Sequence, residues 1–269
     1  MANVIHFERP PLDEVICGAQ FAGVEWSNIH FGLFYTKIAE RYKHTQQRPP
    51  FSPSLFETLV VVQQPPSQVI LTSESETPLL WYESDDSPFL LQVQKDAFFV
   101  NWRHQSGAFV YPHFHTREDG KEGVWDRFRQ EWHTFSSFCE QYEIGTPEAL
   151  ACHLAYVNHM VRGETWETSS DLARWFRPLA GLSSIESVSF FHMTVVSQVH
   201  GLPIRMQFRP GVRMIDKKEV FVIDLIINGK LSAENSLDAW FDGAHTAIVQ
   251  TFLAQTTEEA HKQWGLSYG

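Results

Sequence analysis

The chain has 269 residues, a formal net charge of −11, 43% hydrophobic residues and 20% charged residues. Its aromatic share is 14%, with 21 Phe and 9 Trp, which supplies a large buried core and excludes a disordered chain. The carboxylate excess works against phosphate counterion release, and so against bulk binding of DNA or RNA.

The chain opens with Pro10-Pro11 and a strand-like stretch over residues 14–22. Ser27 is placed to cap a helix whose apolar stripe is Phe31, Phe34, Tyr35, Ile38 and Tyr42, at helical spacing. Residues 48–53 hold three prolines and read as a loop. Short strands are expected over 55–62 and 69–71, interrupted by Pro65-Pro66. Residues 89–93 and 97–103 form a hairpin candidate around Lys95-Asp96. A long helix is expected over 124–142, because Trp125, Phe128, Trp132, Phe135, Cys139 and Tyr142 keep a step of three or four.

Gly145-Thr146-Pro147 marks a joint, after which the order repeats. A strand is expected over 150–161 and a short helix over 170–176. Strands follow over 188–199, 204–208 and 220–227, with turns at Gly201-Leu202-Pro203 and Asn228-Gly229. The last helix begins near Ser236 and shows Leu237, Phe241, Ala244, Ile248 and Phe252 on one face. The expected fold class is therefore α+β, with two halves, 1–145 and 146–269. Each half is an antiparallel sheet packed on a long helix, in the manner of helix-grip halves in TATA-binding-protein-like folds. A single large helix-grip domain is the alternative.

Three segments resemble a known family. Pro10-Pro11-Leu12-Asp13-Glu14-Val15 resembles the Pro-Pro-hydrophobic-x-Glu-hydrophobic opening of the TIGR04255 family, sporadically distributed prokaryotic proteins of unknown function. The stretch from Leu91 to Arg103, followed by Tyr111-Pro112, is similar to that family's best-marked segment. Ala244-His245 through Phe252 to Trp264-Gly265 is similar to its tail. The resemblance implies a bacterial or archaeal source and carries over no activity and no catalytic residue.

Cys17, Cys139 and Cys152 form no CxxC, so buried thiols in a reducing compartment are expected rather than disulfides. No apolar run approaches the ~20 residues of a membrane span. A cytoplasmic protein is the expectation. No G-x-S-x-G elbow, P-loop, G-x-G-x-x-G or H-E-x-x-H occurs. His113 and His115 form the one metal-like pair; with His104, Glu118 and Asp119 nearby, they are candidates without a defined third ligand. No cofactor is expected. His245 and His261 are expected to flank the last helix's apolar stripe or cap its end.

Strand parity yields the candidate binding residues. Gln92 and Gln94, Asn101 and Arg103, His192, then Arg205, Gln207 and Arg209, and Asp224 stand out of phase with the apolar residues between them. One sheet face is thus expected under helices, with the other polar and open to water or to a partner. Arg205 and Arg209 are candidates to grip an anionic group. The run without a basic residue between Arg48 and Lys95, carrying Glu57, Glu74, Glu76, Glu83, Asp85 and Asp86, reads as a solvated face or a dock for a basic partner. The expected function is a non-enzymatic interaction protein with an unidentified protein partner. A metal-assisted hydrolase or small-ligand binder, using a cavity between sheet and helix, is the alternative.

Overall fold

The computed structural model describes residues 5–51, 53–56, 78–85, 87–104, 111, 113–116, 120–184, 191–213, 216–232 and 234–268. In chain order these form β1 (Ile5–Phe7), β2 (Leu12–Val24), α1 (Asn28–Ile38), β3 (His44–Arg48), β4 (Leu79–Glu83), β5 (Phe89–Gln94) and β6 (Ala97–Arg103). After these come α2 (Val124–Gln141), β7 (Gly145–Val161), β8 (Met193–Val199), β9 (Leu202–Val212) and β10 (Glu219–Lys230). The chain closes with α3 (Leu237–Gln255), α4 (Glu258–Gln263) and β11 (Leu266–Tyr268). Tight 3-10 turns occupy Pro53–Phe56, Ser169–Arg174 and Arg177–Ser184.

Nine strands form one antiparallel sheet in the order β3-β4-β5-β6-β2-β7-β10-β9-β8. The protein is α+β. The expected boundary at 145/146 falls at the start of β7, and β7 pairs with β2 from Leu12↔Asn158 to Val24↔Gly145. The long strands β2 and β7, one from each half, therefore stand side by side at the sheet's centre. The remaining strands fan outwards on either side.

Parity works as physical chemistry requires. Cys17, Phe98, Val100, Leu91, Leu154, Met206, Phe208, Ile223 and Leu225 are buried in one core. On β9 the intervening Arg205 and Gln207 are half-buried and Arg209 is exposed. Helix α2 lies over β6, β2 and β7, and α3 over β7, β10 and β9. The two helices meet where Trp125 stacks on Phe241, with centroids 4.3 Å apart. Ser236 caps α3 by accepting the Ala239 amide at 3.1 Å. The expected stripe buries Phe31, Phe34 and Ile38 on α1 and Tyr42 just beyond its end, with Tyr35 half-buried. Between α1 and α2, fully buried Glu131 accepts Arg41 at 3.0 and 2.7 Å, the Tyr42 hydroxyl at 3.1 Å and Arg127 at 3.1 Å.

Several elements depart from expectation. β3, His-Thr-Gln-Gln-Arg, has no apolar alternation to mark it, yet pairs with β4 in register His44↔Glu83 to Arg48↔Leu79. Backbone pairing on a sheet edge requires no burial of side chains, so the period-2 signal is absent there. Leu55 and Phe56, expected in a strand, lie in a 3-10 turn. The rest of that strand and the one at 69–71 lie outside the described residues, as do Glu57, Glu74, Glu76 and Asp86. Of the same acidic run, Glu83 pairs with Arg103 at 2.8 Å and Asp85 with His44 at 2.6 Å. Among the described residues no helix is long and apolar enough to cross a membrane.

Candidate functional site

The helix-covered side of the sheet is not filled throughout. A cavity of about 560 Å³ lies between β7 and β10 below, α3 on one side, and the β1/β11 ribbon, Tyr111 and residues 113–116 above. Its volume falls in the range of ~300–1,000 Å³ usual for small-molecule sites. Phe7, Leu12, Phe114, Leu225, Ile248 and Phe252 supply most of its apolar wall.

The segment carrying the histidine pair is held against the start of α2. Val124 donates to the His113 carbonyl and Trp125 to the Phe114 carbonyl, both at 3.0 Å. The Thr116 amide donates to Asp126 Oδ2 at 2.5 Å. A Cβ on Gly123 would stand 2.4 Å from the His115 carbonyl carbon and 2.5 Å from the Thr116 nitrogen. Only glycine allows the two backbones this approach. Phe114 thus projects over α3 and stacks on the His245 ring with centroids 4.1 Å apart and planes 2° from parallel.

His245 in turn meets the sheet. Its Nδ1 lies 2.8 Å from the Tyr156 hydroxyl. Burial pushes the His245 pKa down to about 3, with the neighbouring His115 adding to the effect, and burial holds the Tyr156 phenol well above its ordinary value. The pair is therefore a neutral imidazole and a neutral phenol at pH 7. Beside it, buried Asn158 donates Nδ2 to the Ile223 carbonyl at 3.1 Å. No Asp, Glu, Lys or Arg is among the described residues lining the cavity.

His113 and His115 both line this cavity, but with different neighbours. His113 stacks on His6 at 5.4 Å, whereas His115 Nε2 lies 2.9 Å from Asp242 Oδ1. Glu118 and Asp119 lie outside the described residues. Among the described residues no three His, Cys, Asp or Glu side chains converge to hold a metal ion. His245 lies in the cavity wall between sheet and helix rather than at the helix end. His261 lies in the last turn of the short α4, with Nε2 2.8 Å from the Thr256 hydroxyl.

The opposite face carries the residues marked by parity. Gln92, Gln94 and Asn101 are buried. Gln92 donates to Asn101 at 2.8 Å, and Asn101 donates to Glu14 at 2.7 Å. Gln94 donates to Asp96 and accepts the Phe51 amide, each at 2.8 Å. Phe51, Leu55 and Phe56 pack over Phe99, Ala97 and Ala151 on this face, so its centre is covered rather than open. There His153 is buried 2.7 Å from Asn228, and burial lowers its pKa to about 4. Arg103 is engaged with Glu83, and His192 is exposed ahead of β8.

On β9, Arg209 donates Nε to the buried Asp224 at 3.1 Å, and Gln207 stands opposite Asp224 in register. Arg205 and Arg209 are four residues apart, ~13 Å at strand rise. One small anion does not bridge that distance, and Arg209 is already committed to Asp224. The two-arginine grip expected from parity is therefore not formed. All three cysteines are free and buried; burial pushes Cys139 and Cys152 up to about 12, and Cys17 higher still.

The cavity's sheet wall was readable in part. Tyr156 and Asn158 occupy the apolar parity of β7, in phase with Leu154 and Met160. Polar groups in phase with a core face are the signal parity reading passed over. His6 and Tyr268 carried no such mark.

No protein-family model matches the chain, and no curated protein is significantly similar to it. The resemblance of the opening, central and closing segments to the prokaryotic family rests on those residues alone.

Proposed function

We propose that the chain is a small-ligand-binding protein whose cavity takes an uncharged, largely apolar molecule carrying at least one hydrogen-bonding group. The observation that carries this reading is the neutral Tyr156–His245 pair, set in the wall of a 560 Å³ cavity whose other lining is mainly aliphatic and aromatic, with His6, His113, His115, Thr116, Asn158 and Ser267 as its remaining polar members. Apolar walls supply affinity by area removed from water. The few polar groups, the Tyr156–His245 pair among them, supply orientation, because a buried polar group left unmatched by the ligand costs ~1–3 kcal/mol. A strongly charged ligand would meet no Asp, Glu, Lys or Arg among the described lining residues, and losing its hydration there is costly.

The alternative of a protein partner docking on the polar sheet face has less support. The amides there are spent on each other, and Phe51, Leu55 and Phe56 cover them. Metal-assisted hydrolysis lacks a convergent ligand set among the described residues.

The test uses N-phenyl-1-naphthylamine, a neutral aromatic amine that fluoresces when taken out of water. Wild type is expected to raise its emission saturably. Val249→Trp, which places an indole in the cavity wall, is expected to abolish that rise while far-UV circular dichroism is unchanged. Equal uptake by wild type and the filled variant would end the proposal.

A further inference from the structure

The nine-stranded sheet has two edges, and they are treated differently. At one end, β3 is defended by charge and hydrogen bonding. His44 meets Asp85 at 2.6 Å, Gln46 donates to Glu83 at 2.6 Å, and Arg48 lies over the Trp81 ring at 4.6 Å. At the other end stands β8, Met-Thr-Val-Val-Ser-Gln-Val. It has no charge, no proline and no glycine, and no strand pairs with its outer side among the described residues. An edge of this kind offers a row of unpaired amides and carbonyls to another strand, the hazard that charged or proline-bearing edges remove. Val196 at its centre is 43% exposed.

We propose that β8 is a homodimer contact, in which two copies pair antiparallel about a two-fold axis through Val196 and join their sheets into one. A symmetric contact must match itself, and β8 does. The two-fold sets Val196 against its own copy, Thr194 against Gln198, Val195 against Ser197, and Met193 against Val199. On either side of Val196 the polar Thr194 meets the polar Gln198, Val195 meets the small Ser197, and no like charges face each other. Thr194, Val196 and Gln198 share the face of Arg205 and Gln207. Met193 and Val199 lie on the other face, at the margin of the main core. With seven residues, the strand runs ~23 Å, enough for a continuous ladder. A charged peptide finds nothing on β8 to select it, so a second copy is the occupant that the strand's chemistry fits. This contact is independent of the cavity.

Sedimentation equilibrium of the full chain at tens of micromolar tests it. Wild type is expected at twice 31.0 kDa. Val196→Lys sets two ammonium groups at facing positions and is expected to sediment at 31.0 kDa, with circular dichroism unchanged. Val196→Cys is expected to cross-link two chains on mild oxidation, whereas Thr194→Cys, facing Gln198, is not. A monomeric wild type, a dimer that survives Val196→Lys, or a Val196→Cys protein that stays uncross-linked would each overturn the proposal.

Discussion

Two buried histidines set a pH window for stability. His153 and His245 titrate at about 4 and about 3 in the folded chain because burial penalises their charged forms. Unfolded, each titrates near ~6.5. The unfolded chain therefore takes up protons as pH falls below ~6.5 while the folded chain does not, and stability falls with it. The contribution is fully present above ~6.5 and is lost progressively towards pH 4. Between pH 7 and pH 5, linkage gives a loss of ~1.9 kcal/mol for each ring, ~4 kcal/mol together. That is a large share of the ~5–15 kcal/mol that holds a typical domain folded. Burial shifts Glu14 and Asp224 upwards, and these two carboxyls act in the opposite sense. The quantity to measure is thus the difference between wild type and His153→Gln or His245→Gln, from urea unfolding at pH 7, 6 and 5. Each substitution is expected to remove ~1.9 kcal/mol from the fall between pH 7 and 5, whatever it does to stability at pH 7. Curves that stay parallel across the three pH values would refute the burial argument for that ring.

Glu131→Ala is expected to cost ~3–5 kcal/mol in urea unfolding, since it strands the Tyr42 hydroxyl and leaves Arg127, with a side chain only 12% exposed, to Glu122 alone. Glu131→Gln keeps an acceptor and is expected to cost less. Gly18→Ala would set a Cβ 2.2 Å from the Phe99 ring, on which Phe51 and Phe56 pack. A loss of ~1–3 kcal/mol by overpacking is expected, read from thermal unfolding and partly relieved by adding Phe99→Leu.

The two long helices and the later strands were legible because their periods are strong. Trp125, Phe128 and Phe135 hold one helix face, and Ile204, Met206 and Phe208 alternate with polar neighbours. β3 was not legible, because an exposed edge strand buries nothing and so leaves no period. The polar face was marked correctly as out of phase with the core, but its closure was invisible. Phe51 reaches it from a segment that reads as loop, and Leu55 and Phe56 from one that reads as strand. His245 carried one visible hint, a ring beside an apolar stripe, and nothing in that stripe announces Tyr156, 89 positions earlier.

The order of residues alone determined an α+β chain, the faces its strands and helices turn inwards, and three thiols unsuited to disulfides. Tertiary structure alone decided that β2 and β7 join the halves into one sheet, and that segments far apart in the chain leave a space above it. Periodicity reports which side of an element is greasy, because it arises from local backbone geometry. It does not report what stands across from that side, and a cavity exists only where side chains from distant segments fail to meet.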